Sequence, residues 1–131
     1  MANPISAELI TGTVGELLVQ IRLLQYDVQA APPLKDSGND LIALRGFEVR
    51  CIQVKTTSSA LPAWPADTNR YHLLAVVRLV GEDRELHLDR SEVYLLRKSD
   101  LPSIRRSWDE LRPFVLNSHR IEELFRDGAA A

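Results

Sequence analysis

Cysteine is nearly missing: Cys51 is the single one among 131 residues, which excludes an intrachain disulfide and a cysteine-based zinc site. Histidine is almost as sparse. His72, His87 and His119 lie far apart, without the spacing of metal ligands. No apolar run approaches the length of a membrane span, so no membrane segment is expected. The first residues, MANPISAELI, lack a basic stretch followed by an apolar core and do not read as a signal peptide, so the expected location is cytoplasmic. Basic charge is not in excess. A formal net charge of −2 excludes a whole-surface nucleic-acid binder and confines any DNA contact to a local basic face. Repeats are absent, and low complexity is confined to the end of the chain, where residues 128–131 are expected to form a flexible tail.

What is present is ordinary for a globular protein: 45% hydrophobic and 26% charged residues. The length fits one domain over residues 1–127. A chain of this size buries roughly two-thirds of its unfolded surface, so its core needs no cross-link.

The patterning alternates between helix and strand. Ile10, Val14, Leu17, Ile21 and Leu24 are spaced four, three, four and three apart, which predicts a helix with this stripe facing the core. Ser6 is placed to cap it. Gly12 and Gly15 inside the helix fit close packing against a sheet, or clearance for a ligand beside Glu16. Residues 26–30 read as a short strand stopped by Pro32-Pro33, and residues 35–39 as a turn. Strands at 40–44 and 47–56, joined at Arg45-Gly46, predict a hairpin. The segment 57–70 is too broken for a long helix but long enough for the crossover of a parallel pair. Further strands are expected at 71–80, 85–88 and 93–96, with Gly81 to Asp83 as a turn. Trp108 and Leu111 suit a short helix. A last helix is expected after Ser118 as its cap, with Ile121, Leu124 and Phe125 facing inward.

The chemistry concentrates on the hairpin. Asp40 opens a strand directly after a turn, so its carboxylate can project from the strand end into a cleft. Gln53 and Lys55 are two apart in a strand and share a face, while Ile52 and Val54 take the other. Polar groups inside such an apolar run are costly without partners. A hard cation such as Mg²⁺ takes oxygen ligands. Asp40, the Gln53 amide oxygen and the Val54 backbone carbonyl can supply them, and Glu16 on the helix flank can reach the same ion through a water. Lys55 can orient the attacking water and stabilise charge on a phosphate, which suits phosphodiester hydrolysis.

Glu in a first helix, Asp at a strand start and Gln-x-Lys on the next strand resembles the PD-(D/E)xK nuclease superfamily. The chain looks most like its Gln-containing members, among them certain group I intron homing endonucleases, and is also similar to archaeal Holliday-junction resolvases. The resemblance implies an α/β, restriction endonuclease-like αβββαβ core with a mixed central sheet and a C-terminal helix. It implies Glu16, Asp40, Gln53 and Lys55 as catalytic residues, Asp40, Gln53, Glu16 and Val54 around Mg²⁺ (with Mn²⁺ as a substitute), and DNA as partner. Two departures stand out: Asn39 occupies the proline position, and Gln53 replaces an acid. The second leaves open a degenerate module that binds nucleic acid or assembles with protein.

Plainer roles compete for several residues. Glu16 also reads as a solvated helix residue, Asp40 as a turn cap, and Lys55 as a side chain reaching solvent from a strand end. Gln20, Thr56, Thr57 and Ser58 are candidates for nucleic-acid contact, or plain exposed polar residues. Cys51 reads as a small core residue, Trp64 and Tyr71 as packing residues rather than base-stacking ones. Arg97, Lys98, Arg105 and Arg106 form the densest basic patch, either a DNA-backbone contact or a solvated face. Cutting both strands of a duplex favours a symmetric assembly, so a homo-oligomer, dimer or tetramer, is expected.

Overall fold

A computed structural model describes residues 6–35, 38–61, 63–64, 70–82, 85–103 and 107–126. The first element is α1 (Ala7–Leu24), capped by the Ser6 hydroxyl, which accepts from the Leu9 N–H at 3.2 Å. The helix stops where Asp27 takes a φ of 63°, a left-handed conformation that Asp tolerates better than most residues. The strands are β1 (Gln29–Ala31), β2 (Leu41–Arg45), β3 (Glu48–Thr57), β4 (Leu73–Arg78), β5 (Gly81–Glu82), β6 (Glu85–Leu86) and β7 (Glu92–Arg97). Gly46, at φ 60°, sits first in the two-residue loop between β2 and β3, where a type II′ hairpin places glycine. A 3-10 segment (Lys98–Ser103), α2 (Trp108–Leu111) and α3 (Ser118–Leu124) follow.

Five strands form one mixed sheet in the order β1-β2-β3-β4-β7. The β3–β4 pair is parallel and all others are antiparallel, so the chain does cross over between β3 and β4. The described residues of that crossover, Ser58 to Leu61, Ala63, Trp64 and Arg70, form no helix. Strands β5 and β6 pair with each other and stand apart from the sheet.

Strand β4 explains the layering. Leu73, Ala75 and Val77 join the core beneath α1 and α3, with Leu18, Val19, Leu23, Ile121, Leu124 and Phe125. Leu74 and Val76 face the other way, into a second core with Tyr71, Tyr94, Leu96, Leu101 and Leu111. A strand buried on both faces is the reason for its unbroken apolar run. Cys51, Trp64 and Trp108 pack against this second core.

The face of α1 turned to the sheet differs from the expected one. Gly15, Leu18, Val19 and Leu23 are buried, whereas Ile10, Leu17, Ile21 and Leu24 are exposed and only Val14 of the expected stripe packs inward. Gly15 decides this. A Cβ there would collide with the Thr56 side chain, so the helix comes closest to β3 at its glycine and presents the residues around it. The cap of α3 also shifts by one: the Asn117 side chain, not Ser118, accepts from the Arg120 N–H at 2.8 Å. The first strand begins later than expected, since Tyr26 and Asp27 belong to the turn that closes α1. Arg105, Arg106 and the tail at 128–131 lie outside the described residues.

Candidate active site

The approach to β2 is a sharp bend. Gly38, at φ 93°, lies so close to the Arg70 side chain that any Cβ would strike it. Asn39 follows, buried, its amide nitrogen 3.4 Å from the Arg70 carbonyl oxygen. Its Oδ1 is buried without a hydrogen-bond partner among the described residues. The bend delivers Asp40 to the mouth of the hairpin, where its N–H donates to the Ile52 carbonyl at 2.9 Å.

Asp40 then does something a turn cap would not. Its Oδ2 accepts the Val54 N–H of β3 at 2.8 Å. Strand β2 pairs with β3 only as far as Ile52, so from Val54 onward that edge of β3 has no β2 strand beside it. The carboxylate fills the first open place. An acceptor of a strand N–H lies in the plane of the sheet, so Asp40 sits between the two faces. In extended backbone a residue's N–H and C=O point to the same edge, so the Val54 carbonyl opens on the side where Asp40 lies.

Glu16 approaches from the face that α1 covers. Its carboxyl is raised above the usual value of 4.5, first by burial and second by the negative charge of Asp40. Glu16 therefore lies near enough to Asp40 to feel its charge, and Asp40 is bonded to the backbone of Val54. Gln53 and Lys55, both half-buried, alternate with the buried Ile52 and Val54 and belong to the face opposite α1. Continuing the register past Leu41–Ile52 sets Gln53 across from Asp40. The proposed residues therefore surround one strand edge from both faces.

The remaining candidates divide. Thr56, Thr57 and Ser58 line a cleft of about 340 Å³ with Ala7, Glu8 and Thr11 at the start of α1. Thr57 is occupied locally, its hydroxyl donating to the Ala60 carbonyl and accepting from the Ser59 N–H. Thr56 Oγ1 is buried without a partner among the described residues. Gln20 donates its amide to the Glu16 carbonyl of its own helix and lines a different groove, between α1 and β1. Of the basic patch, Arg97 pairs with Glu123 at 3.5 Å and Lys98 lies 4.7 Å over the Tyr71 ring.

Two neighbours of the site carry no sequence signal. Arg70 packs on Gly38, as above. His72 Nδ1 accepts the Cys51 N–H at 2.8 Å, and the His72 backbone N–H donates to the Cys51 carbonyl at 2.8 Å. Its ring is lowered below the usual 6.5 by burial, then by Arg50 and Lys98. Neither was findable by spacing, because Arg70 meets Gly38 and Asn39, and His72 meets Cys51, across long stretches of sequence.

Donor chemistry fits a hard divalent cation: two carboxylates, Glu16 raised first by burial and then by the charge of Asp40, with amide and backbone oxygens alongside. Among the described residues no three His, Cys, Asp or Glu side chains cluster to hold a metal ion. No helix among the described residues is long and apolar enough to cross a membrane.

No protein-family model matches the sequence, and no curated protein matches it. Among solved structures the chain is similar to a bacterial homing endonuclease, I-Ssp6803I, with a TM-score of 0.54 and 16% identity, over 78% of this chain and 72% of that one. At that identity the likeness is one of architecture: this chain has a nuclease-like α/β fold, a mixed five-stranded sheet with helices at both ends.

Proposed function

We propose that the chain is a divalent-metal-dependent DNA endonuclease of the PD-(D/E)xK type. The observation that carries this reading is the Asp40 carboxylate accepting the Val54 N–H at the open edge of β3, with Glu16 near enough to feel its charge. Asp40, Glu16, the Gln53 amide oxygen and the Val54 carbonyl would hold Mg²⁺ or Mn²⁺. Bound there, the ion supplies charge neutralisation at the phosphate and a more acidic attacking water. Asp40 is fixed for this role by its backbone bond, which spends one oxygen and leaves the other free to bind. Lys55 orients the water and donates to a phosphate oxygen as the water oxygen bonds to phosphorus and gives its proton to solvent, while the bond to the leaving sugar oxygen breaks and that oxygen takes a proton from solvent. Ser58, exposed in the cleft beside the start of α1, offers a hydroxyl to the DNA backbone, whereas the Thr56 and Thr57 hydroxyls, one buried and one bonded to Ala60, would only shape that wall. The likeness in fold to a homing endonuclease supports a nucleic-acid substrate.

A plasmid-nicking assay in Mg²⁺ and Mn²⁺ tests the reading. The parent is expected to cleave, and Asp40→Ala or Lys55→Ala to lose on the order of a hundredfold or more, since even outer-shell changes at metal sites cost up to that much. Cleavage that is unchanged in both variants would refute it. The second reading is a degenerate module on the same fold. It draws on Gln53, which leaves two carboxylates at the edge, and absence of cleavage with retained DNA binding would favour it.

A further inference from the structure

Helix α1 carries two apolar faces, and the sheet uses one. The other remains in solvent: Ile10 is 42%, Leu17 51%, Ile21 54% and Leu24 63% exposed. With half-buried Val14 these follow the four-three-four-three spacing of the seam in paired helices. Beside the seam runs a groove of about 310 Å³ between α1 and the edge strand β1, lined by Leu17, Gln20, Ile21, Leu24, Gln29 and Ala30. Its walls are predominantly apolar and carry no charge.

The flanks identify the partner. Thr11, Thr13, Gln20 and Gln25 border the seam and none is charged. Arg22, on the same helix, is turned away, donating to the Leu88 and Ser91 carbonyls at 2.8 Å. A two-fold contact sets the same patch against itself, residue i against j and j against i, so a flank carrying one sign of charge would face that same sign. An uncharged border removes that repulsion, and it offers an oppositely charged protein nothing to grip. Complete burial of the exposed seam and groove on both copies would come to roughly 1,000 Å², the floor for a specific interface and the small end of the range.

We propose that two copies of the chain meet in solution along this face, α1 against α1 around an axis near Leu17, each seating Leu or Ile side chains in the other's groove. The interface does not depend on the nuclease reading and stands or falls separately from it. It also differs from the second exposed apolar patch, Ile42, Leu44 and Val49, on the opposite face of the sheet.

Light scattering of the full chain at micromolar concentration tests this. The parent is expected at about twice 14.8 kDa. Ile21→Glu and Leu24→Lys, each at an exposed position, are expected to give the mass of one chain with an unchanged far-ultraviolet dichroism spectrum. Ile42→Glu is expected to remain paired. A single-chain mass for the parent overturns the proposal, as does a pair that survives both α1 variants and is dissolved by Ile42→Glu. If the charged variants do not fold, Leu17→Cys with Cys51→Ser decides. A short thiol cross-linker joins two chains if the seam is the interface and leaves them single if it is not.

Discussion

Val54 gives its N–H to Asp40, and that bond separates Asp40 from an ordinary turn residue. Gln53, one position earlier, is where the site departs most from a three-acid arrangement. Restoring the acid by Gln53→Glu adds a third anionic oxygen donor, and divalent affinity is expected to rise roughly tenfold or more, because ligand charge tunes such sites. Titration calorimetry with Mn²⁺ checks this, and unchanged affinity would remove Gln53 from the ligand set. Glu16 supplies a pH dependence. Its carboxyl is raised in the folded chain, so folding makes it hold its proton more tightly. The stability it contributes is present below its ordinary value of 4.5 and is lost as pH rises through the raised value. At pH 7 without metal, Glu16→Gln should therefore melt above the parent, and the gap should close below about pH 4.5. Melting curves across pH read this directly.

At the scale of elements, α1 separates what the sequence displays from what it conceals. Its extent and its Ser6 cap were legible because both are local. The buried face was not. Two apolar stripes share one helix and one period, and the more regular stripe is the exposed one. What selects the face is a distant contact, Gly15 against Thr56 of β3, which no spacing within α1 encodes. The two glycines should accordingly respond in opposite directions to alanine. Around Gly12 there is open space, so Gly12→Ala is expected to stabilise by up to about 1 kcal/mol through helix propensity. Gly15→Ala forces a Cβ into the Thr56 side chain and is expected to cost about 1–3 kcal/mol by overpacking. Urea melts of the two variants check the pair, with Gly15→Ala/Thr56→Ala expected to recover part of the loss. The same lesson holds for the active residues. Asp40 and the Gln53–Lys55 pair were legible as a pattern on a hairpin, but the Asp40–Val54 bond, Arg70 and His72 depend on chain segments that meet only in three dimensions.

For the whole molecule, the mixed sheet was legible in outline because a broken but long segment must separate two apolar strands that run parallel. What holds the far ends of the chain to that sheet was not. Arg50 of β3 is buried and reaches α3: its Nε donates to the Leu124 carbonyl at 2.9 Å and one terminal nitrogen to the Arg126 carbonyl at 3.0 Å. Its plane also lies 5.6 Å over the Phe125 ring. Arg50→Met would strand those carbonyls and is expected to cost about 3 kcal/mol, read by chemical denaturation. A rise in stability would show that the guanidinium is retained for another reason.

Arg50 also bears on how the protein is made. The Arg50 side chain, on the strand that carries Gln53 and Lys55, finds two of its hydrogen-bond partners at residues 124 and 126, more than seventy positions later. While translation is in progress, a guanidinium destined for the interior has nowhere dry to go. The hairpin can form early, but the Arg50 guanidinium stays hydrated until α3 has been made and packs against it. A nascent chain stalled before residue 124 should therefore hold the sheet open at the end remote from Asp40, and a protease that trims the finished protein back to that point would reopen it.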